Sequence, residues 1–239
     1  MSHYFDEQPR VASRPASVHM KLRDFEAELV ADRGVFSATR IDPGTALLLN
    51  VGSVSQGSLD STGNLLDLGC GYGPIAVTLA HRNPRATVWA LDTNRRALDL
   101  VATNAAALGF SNVIAATADE VPADVRFDQI WSNPPVRIGK AALQDLLLAW
   151  LSRLVPGGRA VMVMSRNLGA DSLSKWLESN AMTVRRNSSK RGYRILEVRG
   201  LPGAAGTHEA AKTPGAAATP GAARTPGAKG TCGEGEARQ

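Results

Sequence analysis

The chain has 239 residues, 44% of them apolar and 21% charged, with a formal net charge of +5. That length supports one domain with a full core plus an appendage, in an ordinary globular composition. No apolar run reaches the ~18 residues that a membrane-crossing helix needs, and Met1–Glu7 lacks the basic start of a signal peptide. The two cysteines, Cys70 and Cys232, exclude a disulfide framework, and no metal-ligand spacing is present. A cytoplasmic location, without metal or membrane, is the expectation. The positive balance leans toward a polyanionic partner, and its meaning depends on where the charge sits.

The first sixty residues, 1–60, read as an N-terminal extension packing on a catalytic core. Met20 to Ala31 fits either a hairpin or a helix by periodicity, with strands favoured because Gly34 and Gly44 flank a loop-rich stretch. Asp42-Pro43-Gly44-Thr45 signals a turn, followed by a helix start at Ala46-Leu47-Leu48-Leu49.

Residues 61–199 alternate strand with helix. Asn64–Leu68 is a short apolar run that stops at glycines, and a helix follows from Pro74, a residue suited to a first helical turn. Thr87–Leu91 is a second strand, and an Ala- and Leu-rich helix follows from about Arg95 to Leu108, closed by Gly109. Strands at Asn112–Ala116 and Phe127–Trp131 precede a helix over about Lys140–Leu154. Pro156-Gly157-Gly158 then leads to a fifth strand, Ala160–Met164, a helix near Asp171–Ser179, and a closing pair at about Thr183–Arg186 and Arg194–Arg199. The alternation implies an α/β fold: a parallel sheet covered on both faces, with one antiparallel strand at the end.

Residues 200–239 differ in kind. Thr-Pro-Gly-Ala recurs at Thr213, Thr219 and Thr225, every six residues, with almost no large apolar side chains. Such a segment cannot bury enough surface to offset the entropy of ordering, so a disordered tail is expected, either a passive extension or an RNA tether.

Three loops carry the chemistry. In Asp67-Leu68-Gly69-Cys70-Gly71-Tyr72-Gly73, glycines at 69, 71 and 73 allow a tight turn and close backbone approach to a ligand. A dinucleotide fingerprint needs glycine or alanine at position 74, where Pro74 stands. Asp67 suits an amino-acid ammonium better than a pyrophosphate, and Cys70 suits packing better than thiol chemistry. By itself the loop is also an ordinary strand-to-helix turn. Asp92, with Thr93 beside it, follows the second strand, where a carboxylate can accept both ribose hydroxyls of an adenosine or cap a helix. Asp119 follows the third strand and either accepts an adenine amino group or is a solvated loop acid. After the fourth strand comes Asn133-Pro134-Pro135. An amide oxygen and a proline-fixed carbonyl can grip the two hydrogens of a planar amine and aim its nitrogen.

Together with Leu91-Asp92, these motifs resemble the Rossmann-like class I methyltransferases of the small-domain group. More closely, they are similar to the bacterial RsmC-type 16S ribosomal RNA guanine-N2 methyltransferases. Finer matches are His3-Tyr4-Phe5, Gly34-Val35-Phe36-Ser37, Asp42-Pro43-Gly44-Thr45, Arg137-Ile138-Gly139-Lys140, Gly169-Ala170 and Gly192-Tyr193-Arg194, so the resemblance covers all but the tail. Long members carry an additional degenerate N-terminal domain, the resemblance here is to the short, single-domain form, and the family often has alanine at the place of Ile138.

The resemblance implies a seven-stranded, mostly parallel sheet, S-adenosylmethionine as cofactor and ribosomal RNA or the small ribosomal subunit as partner, in a monomer. It implies cofactor contacts from Asp67, Gly69, Cys70, Gly71, Gly73, Asp92, Thr93 and Asp119, and catalysis by Asn133, Pro134 and Pro135. Phe36 either lines the cofactor or base pocket or is ordinary core. Alignment of nitrogen, methyl carbon and sulfur contributes roughly 7–11 kcal/mol, and no side-chain nucleophile is needed.

Val136 is apolar but not aromatic, unlike the residue usual here in adenine-N6 DNA enzymes and glutamine-N5 protein enzymes. Methylation of a protein glutamine or another amine stays as the alternative, and a cofactor-dead RNA-binding module is a third reading. Arg185, Arg186, Lys190, Arg191, Arg194 and Arg199 gather in the closing hairpin against one acid, Glu197, while Arg137 and Lys140 flank the catalytic loop. Val136, Arg137, Lys140, Arg186 and Arg191 are the candidate substrate contacts, with a solvated basic face as the alternative for the hairpin.

Overall fold

The computed structural model describes residues 11–51, 62–190 and 192–200. Arg191, His3-Tyr4-Phe5 and the Thr-Pro-Gly-Ala tail lie outside the described residues. Seven strands form one sheet: β3 (Asn64–Leu68), β4 (Thr87–Leu91), β5 (Val113–Ala116), β6 (Phe127–Ser132), β7 (Leu154–Ser165), β8 (Met182–Lys190) and β9 (Tyr193–Gly200). Their order is β5-β4-β3-β6-β7-β9-β8. Only β9 runs against the others, pairing antiparallel with both β7 and β8. This is the mostly parallel sheet with one antiparallel strand that the sequence led us to expect.

Strand side chains alternate across the pleat, and the inner strands β3, β6, β7 and β9 bury apolar side chains on both faces, whereas the edge strand β8 is largely polar. Leu65, Val88, Val161, Val163 and Ile195 enter one core with helices α1 (Pro43–Val51), α2 (Pro74–Arg82) and α3 (Arg95–Ala107). Leu66, Ile130, Ala160, Met162 and Leu196 enter the other with α4 (Lys140–Leu151) and α5 (Ala170–Ser179).

Ahead of the sheet, β1 (Ala16–Lys21) and β2 (Glu26–Ala31) form an antiparallel hairpin, with Val18, Met20, Ala27, Leu29 and Ala31 turned inward. The strand reading of this segment therefore holds. Asn104 of α3 fastens the hairpin edge: its Oδ1 accepts from Val30 N at 2.8 Å, and its Nδ2 donates to Val30 O and to Tyr72 O of the glycine loop. Arg82 donates two hydrogen bonds, at 2.7 and 2.6 Å, to Asp24 in the hairpin turn.

The passage from α4 into β7 departs from expectation. Pro156-Gly157-Gly158 is not a loop before a strand at Ala160; it lies within β7. Leu154 pairs with Phe127 and Arg159 with Gln129, so five steps on one strand oppose two on the other and the excess residues bulge.

Candidate active site

The chain goes β3 to β4 to β5 in one direction and then returns to place β6 on the other side of β3. Ligands bind in open α/β sheets at such a switch, beyond the carboxyl ends of the strands. A cavity of about 390 Å³ lies there, lined by residues that follow β3, β4, β5, β6 and β7.

The glycine loop forms its floor. Gly69 N and Cys70 N donate to Leu91 O at 2.9 and 2.8 Å, which draws the loop across the end of β4. Gly71 N donates to Asp92 Oδ2 and Asn94 N to Asp92 Oδ1, each at 3.0 Å. Asp92 is thus held by two backbone N–H groups on the cavity wall, and burial still pushes its carboxyl above the usual range. Helix capping, the alternative role for Asp92, falls to Asn94, whose Oδ1 accepts from Arg96 N at 3.0 Å. Thr93 is exposed and also lines the wall.

Asp67 sits beneath the loop, fully buried. Its Oδ2 accepts from Ala76 N, in the first turn of α2, at 2.9 Å. Its Oδ1 is buried without a hydrogen-bond partner among the described residues. Burial, with the charge of Asp92 adding to it, holds the Asp67 carboxyl well above the ordinary range, against the Ala76 hydrogen bond. Cys70 is buried and its thiol pushed up by burial, as suits a packing residue. Gly69 meets the cavity, while Gly71 and Gly73 shape the loop behind it.

On the other side of the switch stand Asn133, Pro134, Pro135, Val136 and Arg137, all lining the cavity. Buried Ser132 ties β6 to β3 by donating to Leu68 O at 2.7 Å. Pro135, at φ −75° and ψ 69°, makes an inverse γ-turn in which Val136 N donates to Pro134 O at 2.8 Å. The Pro134 carbonyl is fixed in direction and keeps one lone pair for a second donor. Asn133 Nδ2 donates to Asp42 Oδ2 and to Thr45 Oγ1, both at 3.0 Å. Its Oδ1 is therefore the end left for a ligand.

Other expected residues scatter. Phe36 lines the cavity and is 44% exposed, so it is not an ordinary core residue. Asp119 is exposed and outside the wall, which at that point is Ala118. Lys140 is exposed at the start of α4 and does not line the cavity.

The basic hairpin divides by its register. Lys190 pairs with Tyr193 at the cavity edge, whereas Arg199 pairs with Thr183 at the opposite edge. Arg199 Nε donates to buried Glu197 at 2.9 Å. Arg186 and Arg194 both reach Asp171 in the first turn of α5, Arg186 at 3.4 Å. The gathering of arginines expected from the sequence is several separate pairings.

Sequence reasoning missed Asp42, Thr45 and Tyr193 as parts of the site. Asp42 and Tyr193 line the cavity, and Thr45 is buried behind Asn133. The available signal was a carboxylate and a hydroxyl three residues apart at a helix start, which reads as an N-cap.

A switch-point cavity walled by Gly69 after β3, Asp92 after β4 and Asn133-Pro134-Pro135 after β6 fits a transferase built around a nucleoside-bearing cofactor. The residues fit S-adenosylmethionine: Asp92 on the wall suits sugar hydroxyls, and Asp67, beneath the wall with Oδ1 unpartnered among the described residues, sets a negative charge under the loop. The family model for the methyltransferase small domain matches residues 26–197. The chain belongs to that family, whose methyl donor is S-adenosylmethionine.

Among its relatives is YbxB, an uncharacterized protein of Bacillus subtilis, 32% identical over 82% of this chain and 98% of that one. Ribosomal RNA small subunit methyltransferase C of Shewanella halifaxensis is 32% identical over 66% of this chain and 46% of its own length. The chain spans about half the length of the rRNA relatives it matches. Of solved structures, the Thermus thermophilus 16S rRNA N2 G1207 methyltransferase (RsmC), in complex with AdoMet and guanosine, superposes with a TM-score of 0.66 at 24% identity. That match covers 80% of this chain and 52% of the other, and it is a likeness of fold. No helix among the described residues is long and apolar enough to cross a membrane.

Proposed function

We propose that the chain methylates the exocyclic amine of a guanine in ribosomal RNA of the small subunit. The observation that carries this reading is the joining, in one cavity, of the Asp92 wall to the Asn133 amide oxygen and to the Pro134 carbonyl, which keeps one lone pair beside its bond from Val136 N. Two acceptors side by side match the two hydrogens of an aromatic amine, and they leave its nitrogen to point along the cavity. A phosphate would meet repulsion from the same oxygens, and a hydroxyl has one hydrogen and could satisfy only one of them.

S-adenosylmethionine, held beside Asp92 and the glycine loop, would supply an electrophilic methyl group on its sulfonium sulfur. The chain's own work is positioning. Asn133 and Pro134 orient the amine, and apolar Phe36, Val136 and Leu168 surround the place a base would occupy. A guanine amine is hidden in a stacked duplex, so the target nucleotide must be looped or flipped out to reach this depth. Arg137 on the wall and Lys190 at the edge offer charge to the phosphates beside it.

The likeness to the Shewanella ribosomal RNA small subunit methyltransferase C supports the rRNA target, and the non-aromatic Val136 favours it over the glutamine reading. Mass mapping of modified nucleosides in ribosomal RNA from a strain lacking the gene tests the proposal. Loss of one N2-methylguanosine is expected. An unchanged set of nucleosides, or loss of a different one, would overturn it.

A further inference from the structure

The amide of an asparagine is nearly symmetric in shape, and nothing in its own chemistry decides which end faces a ligand. Presented nitrogen first, Asn133 would offer an N–H donor to an amine that is itself a donor, and the grip would fail. The choice is made outside the cavity loop, on the first turn of α1.

Asp42 Oδ2 accepts from Thr45 N at 3.0 Å and from Asn133 Nδ2 at 3.0 Å. An ionised carboxylate only accepts, so it repels the Asn133 oxygen and holds the nitrogen. Thr45, 3% exposed, takes the second Nδ2 hydrogen on Oγ1 at 3.0 Å. This turn cannot drift away from Asn133, because Gly44 lies flat against Tyr193. A Cβ at position 44 would stand 2.8 Å from Tyr193 Cε1 and 2.9 Å from Asp42 Oδ2.

We infer that Asp42 and Thr45 are positioning residues that fix the Asn133 amide with its oxygen toward the cavity, restricting the site to acceptors that bring N–H donors. The charge of Asp42 also polarises the amide and strengthens its oxygen as an acceptor. This inference rests on the reading of Asn133 as the amine's partner.

The test is the side-chain amide signal of Asn133 in the full chain labelled with 15N-asparagine, assigned by its loss in Asn133→Ser. Both Nδ2 protons are expected to exchange with water more slowly than those of free asparagine. Thr45→Val and Asp42→Ala should each speed that exchange and shift the signal, and Thr45→Ser should restore it. Exchange as fast as that of a free amide in the unmutated chain, or a signal unmoved in Asp42→Ala, overturns the inference.

Asp42→Asn guards against misfolding as the cause: it keeps a side chain of the same size, and its melting temperature is read alongside. With small-subunit rRNA and labelled S-adenosylmethionine, Thr45→Val should lower kcat by about a hundredfold, with cofactor affinity by calorimetry held within a few fold and Thr45→Ser close to the unmutated chain. A fall in cofactor affinity in place of kcat would overturn the positioning role. If the amide signals behave as expected but the unmutated chain leaves the RNA unmethylated, the proposed substrate fails while the amide orientation stands.

Discussion

Replacing Gly73 with alanine isolates what the cofactor loop demands of the chain. Gly73 sits at φ +93°, in the left-handed region, where a Cβ costs roughly 1–2 kcal/mol. The lost backbone freedom of the unfolded chain returns about 0.4–1 kcal/mol of that. The larger effect is spatial: the new Cβ would lie 2.2 Å from Val101 Cγ2 and 2.9 Å from Val101 Cβ. Val101 is fully buried in α3, and a β-branched side chain in a helix has one strongly preferred rotamer, so it cannot swing aside. Overpacking of that kind costs about 1–3 kcal/mol.

Gly73→Ala should therefore lose about 2–4 kcal/mol, read as a fall in melting temperature on the order of 4–16 °C for a chain of this size. Gly109→Ala is the internal control: its φ is +75°, and nothing lies within 4 Å of the Cβ it would gain. It should lose about 1 kcal/mol or less. Urea unfolding followed by circular dichroism gives both values in the same protein. If the two substitutions cost the same, the approach of the loop to α3 is not what holds the glycine, and the packing argument fails.

Three further outcomes follow from the site. Asn133→Ala should abolish methyl transfer while calorimetry finds S-adenosylmethionine bound within a few fold of normal; a collapse of cofactor affinity would mean that Asn133 holds the donor instead. Asp67 has a carboxyl raised by burial, so its ionisation costs stability as pH rises above the unfolded value of about 3.9. Asp67→Asn should accordingly be more stable than the unmutated chain in urea at pH 8, by a margin that shrinks toward pH 4, while binding S-adenosylmethionine less well; a pH-independent difference would show that the charge is not the cause. Charge reversal at Lys190 should lower the salt slope of RNA binding by about 0.7–0.9, and reversal at Arg199, on the far edge and paired with Glu197, should leave it unchanged. Equal effects at both positions would remove the cavity edge from the RNA path.

What could be read from the sequence follows from which structural facts are local. Strands β3 and β4 have the bounds their apolar runs suggest, because a short buried parallel strand is a run of large side chains cut off by turn residues. The floor of the cavity was legible for the same reason: glycines, Asp92 and Asn133-Pro134-Pro135 all stand just past strand ends. Strand β7 was misjudged since Pro156-Gly157-Gly158 carries loop chemistry, and only its pairing with β6 turns it into a bulge.

The meeting of Asp42 with Asn133 spans 91 positions and leaves no mark in either segment. Register also decided the fate of the hairpin charges. Lys190 and Arg199 look equivalent in a list of basic residues, yet antiparallel pairing sends them to opposite edges of the sheet.

The two acids behind the glycine loop show why binding and folding pull against each other here. Asp67 and Asp92 both have carboxyls raised by burial, so each ionised form is disfavoured by the fold around it. Backbone N–H groups of Gly71 and Asn94 compensate Asp92, but Asp67 keeps one oxygen with no donor among the described residues. A chain selected only for stability would place a neutral or apolar side chain at 67, since an unpaired buried charge is among the costliest groups a fold can hold. Asp67→Asn separates the two demands: a more stable fold at pH 8 together with weaker binding of S-adenosylmethionine is the outcome expected if the charge at 67 serves the ligand.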